Sequence, residues 1–326
     1  MRKGDHRLDR LEVRTFKSEA EVRELIGFKE SNPISKTNYK ELIGDYEFLE
    51  KAQCCFQPEG REFCGTWHKI GYVVRLQDGS VTIIGNICAS NNFDAEAQIS
   101  KDRAKYQNEK KRLESLARVQ ELVGNKAQNM ERLRTKRDAL KVTQGRLSGF
   151  LSNVGTQCAA KLQAMARDGR RDVIITGVRI RPYVEDGEKR QERTKVPLTV
   201  GFLKGLNVLR ADACQGIFDR MNAVARAYDA AEKLQEPIRN RDLEEIRTVL
   251  SDVDRIVMEA DELTSTEESF FSNDFSSLPF LVADIGERAK LARFLLKEGG
   301  KQRAKEWLQE MEAALRTTHG VNKLEW

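Results

Sequence analysis

The amino-acid sequence predicts a mainly α protein with small β elements, on three observations. Apolar residues recur three or four apart from Phe93 to about Arg167 with no proline between them, the spacing that lines one face of a helix. A strong hairpin signal, Asp78-Gly79 between β-branched runs, precedes that stretch and has cysteines and a histidine around it. The chain is rich in charge (33%) and poor in aromatics (7%), with a mean hydropathy of −0.58, a balance that favours long amphipathic helices over one compact sheet. At 326 residues there is room for two or three compact units. The expected order is an N-terminal helical segment (1–50), a zinc-ribbon-like Cys/His β-hairpin module (51–92), a basic coiled coil (93–168) and a C-terminal α+β/helical domain (169–326).

Each element has its own signal. Leu8, Leu11, Phe16, Val22, Leu25 and Ile26, with Ser18 three residues before Glu21, predict one short helix with a capping box, ended by Gly27. Pro33 in a polar stretch marks a loop, and Leu42 to Leu49 is a short apolar segment. Gly71 to Gly85 reads as a hairpin with a type I′ turn at Asp78-Gly79. From Leu113 through Leu133, Leu140, Leu147 and Val154 to Met165 the helical spacing holds, with polar residues in heptad slots at Arg137 and Gln144. Such a helix is either an extended coiled coil, about 110 Å long, or a helical hairpin folded back near Gly124-Asn125 or Gly145 to Gly149. Val173, Ile175, Val178 and Ile180 predict a second β element, turning at Glu185-Asp186-Gly187 and returning at Val196 to Val200. Helices are expected around 202–228 and 239–263, separated by Pro237, then a Ser/Phe-rich loop (269–279) and helices near 283–296 and 302–316.

The net charge of +5 is modest, but its distribution is not. Ala97 to Arg146 holds fourteen Lys/Arg against six Asp/Glu, a net of +8, while Tyr228 to Ser277 holds five against fourteen, a net of −9. These stretches either pair within the fold or face different partners. Lys101, Arg103, Lys105, Lys110, Lys111 and Arg112 form the densest basic run and are candidate contacts to nucleic-acid phosphates. Tyr106 is the one aromatic near them, so backbone contact to a duplex is expected rather than base stacking.

The cluster suited to ligand chemistry is Cys54 or Cys55 with Cys64, His68 and Cys88; Cys55 is taken with the other three as the expected zinc set. A structural Zn²⁺ needs four thiolate or imidazole ligands in a tetrahedron, and a hairpin brings residues before and after it together. Four protein ligands close the shell; if one of them is not a ligand, the ion takes water and Glu59 or Glu62 stands nearby as a base. The alternative is that the cysteines are small buried hydrophobes. The run from Cys64 to Cys88, with Cys, His-Lys, hairpin, Ile-Gly and Cys in order, resembles the N-terminal module of uncharacterised bacterial proteins often associated with mobile elements. The resemblance covers about residues 54–95 and implies a bacterial or phage-related source without an activity. Ala89 departs from it where a glycine commonly follows the last cysteine.

No phosphate-binding loop, nucleophile elbow or His-Glu-x-x-His motif is present, and His6, His68 and His319 are the only histidines. Gly201 to Leu206 lacks the strand-to-helix spacing of an anion loop. The sequence therefore points away from an enzyme, unless scattered carboxylates build a site. It suggests a binding or scaffold protein with a zinc module and a basic coiled coil, contacting nucleic acid, a protein partner or a second copy. The alternative is a coiled-coil assembly component without nucleic acid. The lack of an apolar run of about 18 residues and the sparse, clustered cysteines lead to the expectation of a cytoplasmic protein that does not enter membranes.

Overall fold

The computed structural model describes residues 12–30, 32–58, 62–93, 97–234, 238–296 and 300–325. His6, Leu8, Leu11, Glu59 and Pro237, all named above, lie outside the described residues. The chain forms two compact units, Met1–Glu121 with Leu234–Arg247, and Leu122–Lys233 with Thr248–Trp326.

The first unit is built on a four-stranded sheet of order β1-β2-β3-β4: β1 (Thr15–Phe16), β2 (Tyr39–Gln53), β3 (Trp67–Leu76) and β4 (Val81–Gly85). Strands β2, β3 and β4 run antiparallel, and β1 joins β2 in parallel. The expected N-terminal helix shrinks to α1 (Glu19–Arg23) because Phe16 belongs to β1; Ser18 still caps it, accepting from the Glu21 N–H at 3.3 Å. The hairpin closes on three residues rather than two. Gly79 alone has positive φ (+83°), and Gly79 N–H donates to the Leu76 carbonyl at 3.0 Å, as in a type I turn followed by a left-handed glycine.

Side chains alternate between two cores on the faces of this sheet. Tyr72, Val74, Leu76, Ile84 and Cys54 meet Ala89 of α2 (Asn86–Asn91) and Ile99 of α3 (Gln98–Gly124) on one face. Phe16, Tyr46, Phe48, Cys55, Val73, Val81 and Ile83 meet Val22 of α1 on the other. Helix α3 is tied down by its polar residues. Tyr39 Oη donates to Asp102 at 2.7 Å, Lys110 pairs with Asp45 and donates to Thr15 Oγ1 at 3.1 Å, and the Tyr106 hydroxyl sits 2.6 Å from the Arg14 carbonyl.

In the second unit the helical spacing seen in the sequence reports a bundle. Helix α4 (Lys126–Val154) buries Leu133, Leu140, Leu147, Phe150 and Val154. This seam packs on α6 (Ala213–Glu232) and α8 (Val253–Phe271) of the same chain, with α5 (Thr156–Asp168) and α9 (Ile285–Leu296) against its far end. Phe150 is ringed by Phe270, Phe271 and Phe275 at centroid distances of 5.0–5.7 Å. The helical stretch breaks at Asn125 and again at Gly155, where φ is +82°. Helix α7 (Asn240–Leu250) passes from the first unit into the second, and α10 (Lys301–His319) packs on α9. The second sheet has the order β6-β5-β7, from β5 (Asp172–Glu185), β6 (Glu188–Phe202) and β7 (Lys323–Glu325).

Part of the charge polarity is internal pairing. Lys126 meets Glu232 at 2.9 Å, Arg132 meets Asp254 at 2.8 Å, and Arg146 meets Glu267 at 2.9 Å. Glu267 is buried, with 1% of its side chain exposed. Burial pushes its carboxyl above the ordinary range, with Arg146 pulling the other way. A carboxyl with a raised folded-state pKa favours folding below its unfolded value, and that contribution is lost as pH rises through the folded value. Glu267→Gln removes the dependence, so the variant should gain on the parent as pH rises from 4 to 7. Urea unfolding at the two pH values reads this directly; a parent that gains on the variant contradicts it.

Candidate metal centre

The sulphur atoms of Cys54, Cys64 and Cys88 all lie within 4.8 Å of one another. Each arrives by a different route. Cys54 follows the last residue of β2, and its N–H donates to the Thr66 carbonyl at 3.0 Å; Cys64 stands in the loop before β3, its N–H donating to the Phe56 carbonyl at 2.8 Å. Cys88 lies on α2, directly after the hairpin, with its Sγ 3.3 Å from that of Cys64. A tetrahedral zinc with Zn–S bonds of about 2.3 Å spaces its sulphurs by roughly 3.8 Å, and the cluster is of that size.

Cys55, placed in the expected set from the sequence, is the residue the structure exchanges for its neighbour. Successive residues of an extended chain point to opposite faces, so Cys54 joins the core beneath α2 and α3 while Cys55 joins the core beneath α1. Cys64 and Cys88 are the two members of the expected set that the cluster contains.

His68 does not fall within the group of three. It sits on β3 opposite Ala52, and its ring packs on Gly85, where an added Cβ would come within 2.6 Å of it. The Gly85 N–H in turn lies 3.5 Å from Cys54 Sγ. The Tyr46 hydroxyl is 2.7 Å from His68 Nδ1 and 3.4 Å from the Ile84 carbonyl. One hydroxyl proton serves one acceptor, so donation to Ile84 leaves the Tyr46 oxygen to accept from Nδ1–H, which frees the Nε2 lone pair. Nε2 is buried and has no hydrogen-bond partner.

The electrostatics follow from burial and from crowding of the sulphurs. Burial pushes the Cys54 and Cys88 thiols up, Cys88 the more strongly because Cys64 and Cys54 crowd it. Burial also raises Cys64, but hydrogen bonding to Thr66, whose Oγ1 is 3.2 Å away, and to the other two thiols outweighs it, leaving Cys64 below the ordinary range. Burial lowers His68 and so favours the neutral imidazole, the form that binds metals. Three close thiols of this kind can hold a metal ion. Glu62, considered as a base, is exposed.

No protein-family model matches the chain, and no curated protein or solved structure does either. Sequence reading missed Tyr46, Thr66 and Gly85, which orient the centre. The signal for Tyr46 is the pairing of β2 with β3, which no local pattern reveals.

Of the six basic residues expected to meet phosphates, three are engaged in the fold. Arg103 lies over the Tyr72 ring at 4.9 Å and donates to Ala89 and Ser90 at the end of α2, Lys110 pairs with Asp45, and Arg112 with Glu109. Lys101, Lys105 and Lys111 are exposed. Among the described residues, no helix is long and apolar enough to cross a membrane.

Proposed function

We propose that the chain is a binding protein whose N-terminal unit is braced by one structural zinc ion on Cys54, Cys64 and Cys88, with His68 Nε2 drawn in from outside the cluster as the fourth ligand. The observation that carries this reading is the cluster of three thiols, with a buried imidazole nitrogen that has no hydrogen-bond partner in the same small module. Buried polar atoms are nearly always satisfied, and a metal satisfies this one. The second ring nitrogen of a metal-binding histidine is commonly held by a hydrogen bond that fixes the tautomer, the part Tyr46 plays here.

Four protein ligands leave no position for water, so the ion stabilises structure rather than activating a substrate. It ties together the end of β2, the approach to β3, and α2. The reading favours a docking module over an enzyme. Phosphate contact through α3 is the weaker proposal, because Lys101 and Lys105 share a helix face while Lys111 is turned about 100° away from it.

Protein purified without chelator should carry about one equivalent of zinc per chain. Elemental analysis returning well under half an equivalent sinks the proposal. His68→Gln should lower zinc affinity by about 10-fold or more; unchanged affinity removes His68 from the ligand set.

A further inference from the structure

The β5–β6 hairpin is an arm. Its strands pair in register from Ile174↔Thr199 out to Glu185↔Glu188, and all fifteen residues from Arg181 to Lys195 are exposed. The turn at the tip has positive φ at both Asp186 (+53°) and Gly187 (+81°), the type I′ geometry that continues the strand twist without splaying. Core packing reaches only the base, where Ile175 and Leu198 meet Phe280, Val321 and Leu324. A two-stranded ribbon gains little by itself in water, so the free part of the arm makes no evident contribution to the core.

The register sorts its side chains by chemistry. Directly paired residues of antiparallel strands share a face. Ile180↔Arg193, Pro182↔Gln191 and Val184↔Lys189 therefore lie on one face, an apolar row beside a row that contains two cations and no carboxylate. Glu185, Glu188 and Glu192 are all on the opposite face, where Arg190 pairs with Glu185. Among the described residues, neither Lys189 nor Arg193 has an ion-pair partner.

We propose that this face of the arm binds duplex DNA, with Lys189 and Arg193 on phosphates and the Pro182–Val184 row against the groove floor. The site lies in the second unit and does not depend on the metal centre. Three considerations select this occupant. A cationic face without carboxylates complements a polyanion. A second copy pairing through the same face would set Lys189 and Arg193 against their own equivalents, since a two-fold interface is self-complementary. The B-form major groove, about 12 Å wide and 8.5 Å deep, admits a two-stranded ribbon, whereas the A-form RNA groove is too narrow. The arm beyond Arg181 extends roughly 17 Å at 3.3 Å per residue, enough to reach the groove floor.

The test is fluorescence anisotropy with the full chain and a labelled mixed-sequence duplex of about 20 base pairs, titrated from about 50 mM salt upward. Saturable binding is expected at low salt, falling steeply as salt rises. The double variant Lys189→Gln/Arg193→Gln should reduce the log–log salt slope by about 2, one counterion for each lost phosphate contact. Lys101→Gln/Lys105→Gln on α3 should leave the slope unchanged, and duplex RNA should bind more weakly. Circular dichroism confirming that the arm variant stays folded accompanies the titration. No saturable DNA binding at low salt overturns the proposal. So does a slope moved by the α3 variant instead of the arm variant, or equal affinity for duplex RNA. None of these outcomes alters the zinc content, so the two readings fail separately.

Discussion

Replacing Cys64 with serine is expected to strip the zinc from the N-terminal unit and to destabilise that unit by roughly 3–5 kcal/mol. A structural zinc site contributes its binding energy to folding, with apparent values of about 10–16 kcal/mol in the smallest modules. Here the sheet has two cores of its own, so the loss should be partial unfolding rather than collapse of the whole chain. Packing does not supply an effect of this size. Cys64 is only partly buried, and a Cys-to-Ser change at such a place costs on the order of 1 kcal/mol without metal. The neighbouring pair on β2 sharpens the test. Cys54→Ser should lose the metal as Cys64→Ser does, whereas Cys55→Ser, whose side chain enters the opposite core, should keep about one equivalent. Zinc analysis and thermal unfolding of the three variants, with and without chelator, read the outcome. A Cys64→Ser protein that keeps both its zinc and its midpoint contradicts the site, as does a Cys55→Ser protein that loses the metal while Cys54→Ser retains it.

Gly71→Ala carries the second large effect, expected at about 3 kcal/mol of destabilisation. Gly71 lies on the central strand β3, between Tyr46 on β2 and Gly85 on β4. A methyl group there would stand 2.1 Å from the Ile84 carbonyl oxygen and 2.4 Å from Tyr46 Oη. The carbonyl belongs to a paired strand and cannot step aside, and Tyr46 cannot move without releasing His68 Nδ1. The variant should therefore lose zinc affinity along with stability, although it touches no sulphur. Gly145→Ala provides the contrast. That glycine is in the interior of α4 with open space where its Cβ would be, and the substitution should stabilise the chain by about 0.5–1 kcal/mol. Equal effects from the two changes would deny the close approach at Gly71.

Local patterns in the sequence reached the features that depend on neighbours. Asp78-Gly79, Ser18 with Glu21, and the Leu133, Leu140, Leu147 row all mark real elements, because turns, caps and helix faces are set within a few residues. The long strand β2 was reduced to a short apolar segment, since three register shifts between Tyr39 and Ala52 break its alternation. The turn of the arm at Glu185-Asp186-Gly187 is legible because turn chemistry is local, whereas the return strand is placed only from Val196, because residues 188–195 are polar and exposed. The row on α4 was read as a coiled-coil seam because the spacing is the same whether the covering helix comes from the same chain or another. Likewise, the choice between Cys54 and Cys55 rests on which sheet face each one meets, and that requires the pairing of β2 with β3.

The first unit is assembled from two stretches of chain, Met1–Glu121 and Leu234–Arg247, and this has a consequence during synthesis. Cys54, Cys64 and Cys88 are all made early, within the first stretch. Two contacts of α3 do wait: Ser115 bonds to Glu244, and the Asn108 carbonyl accepts from Asn240. At about 5–20 residues per second, a ribosome needs roughly 6–25 s to pass from the end of the first stretch to the end of the second. For that interval the nascent chain presents its three clustered cysteines beside a helix that lacks two of its contacts, and α3 acquires its closing segment only after α4, α5 and α6 have been made.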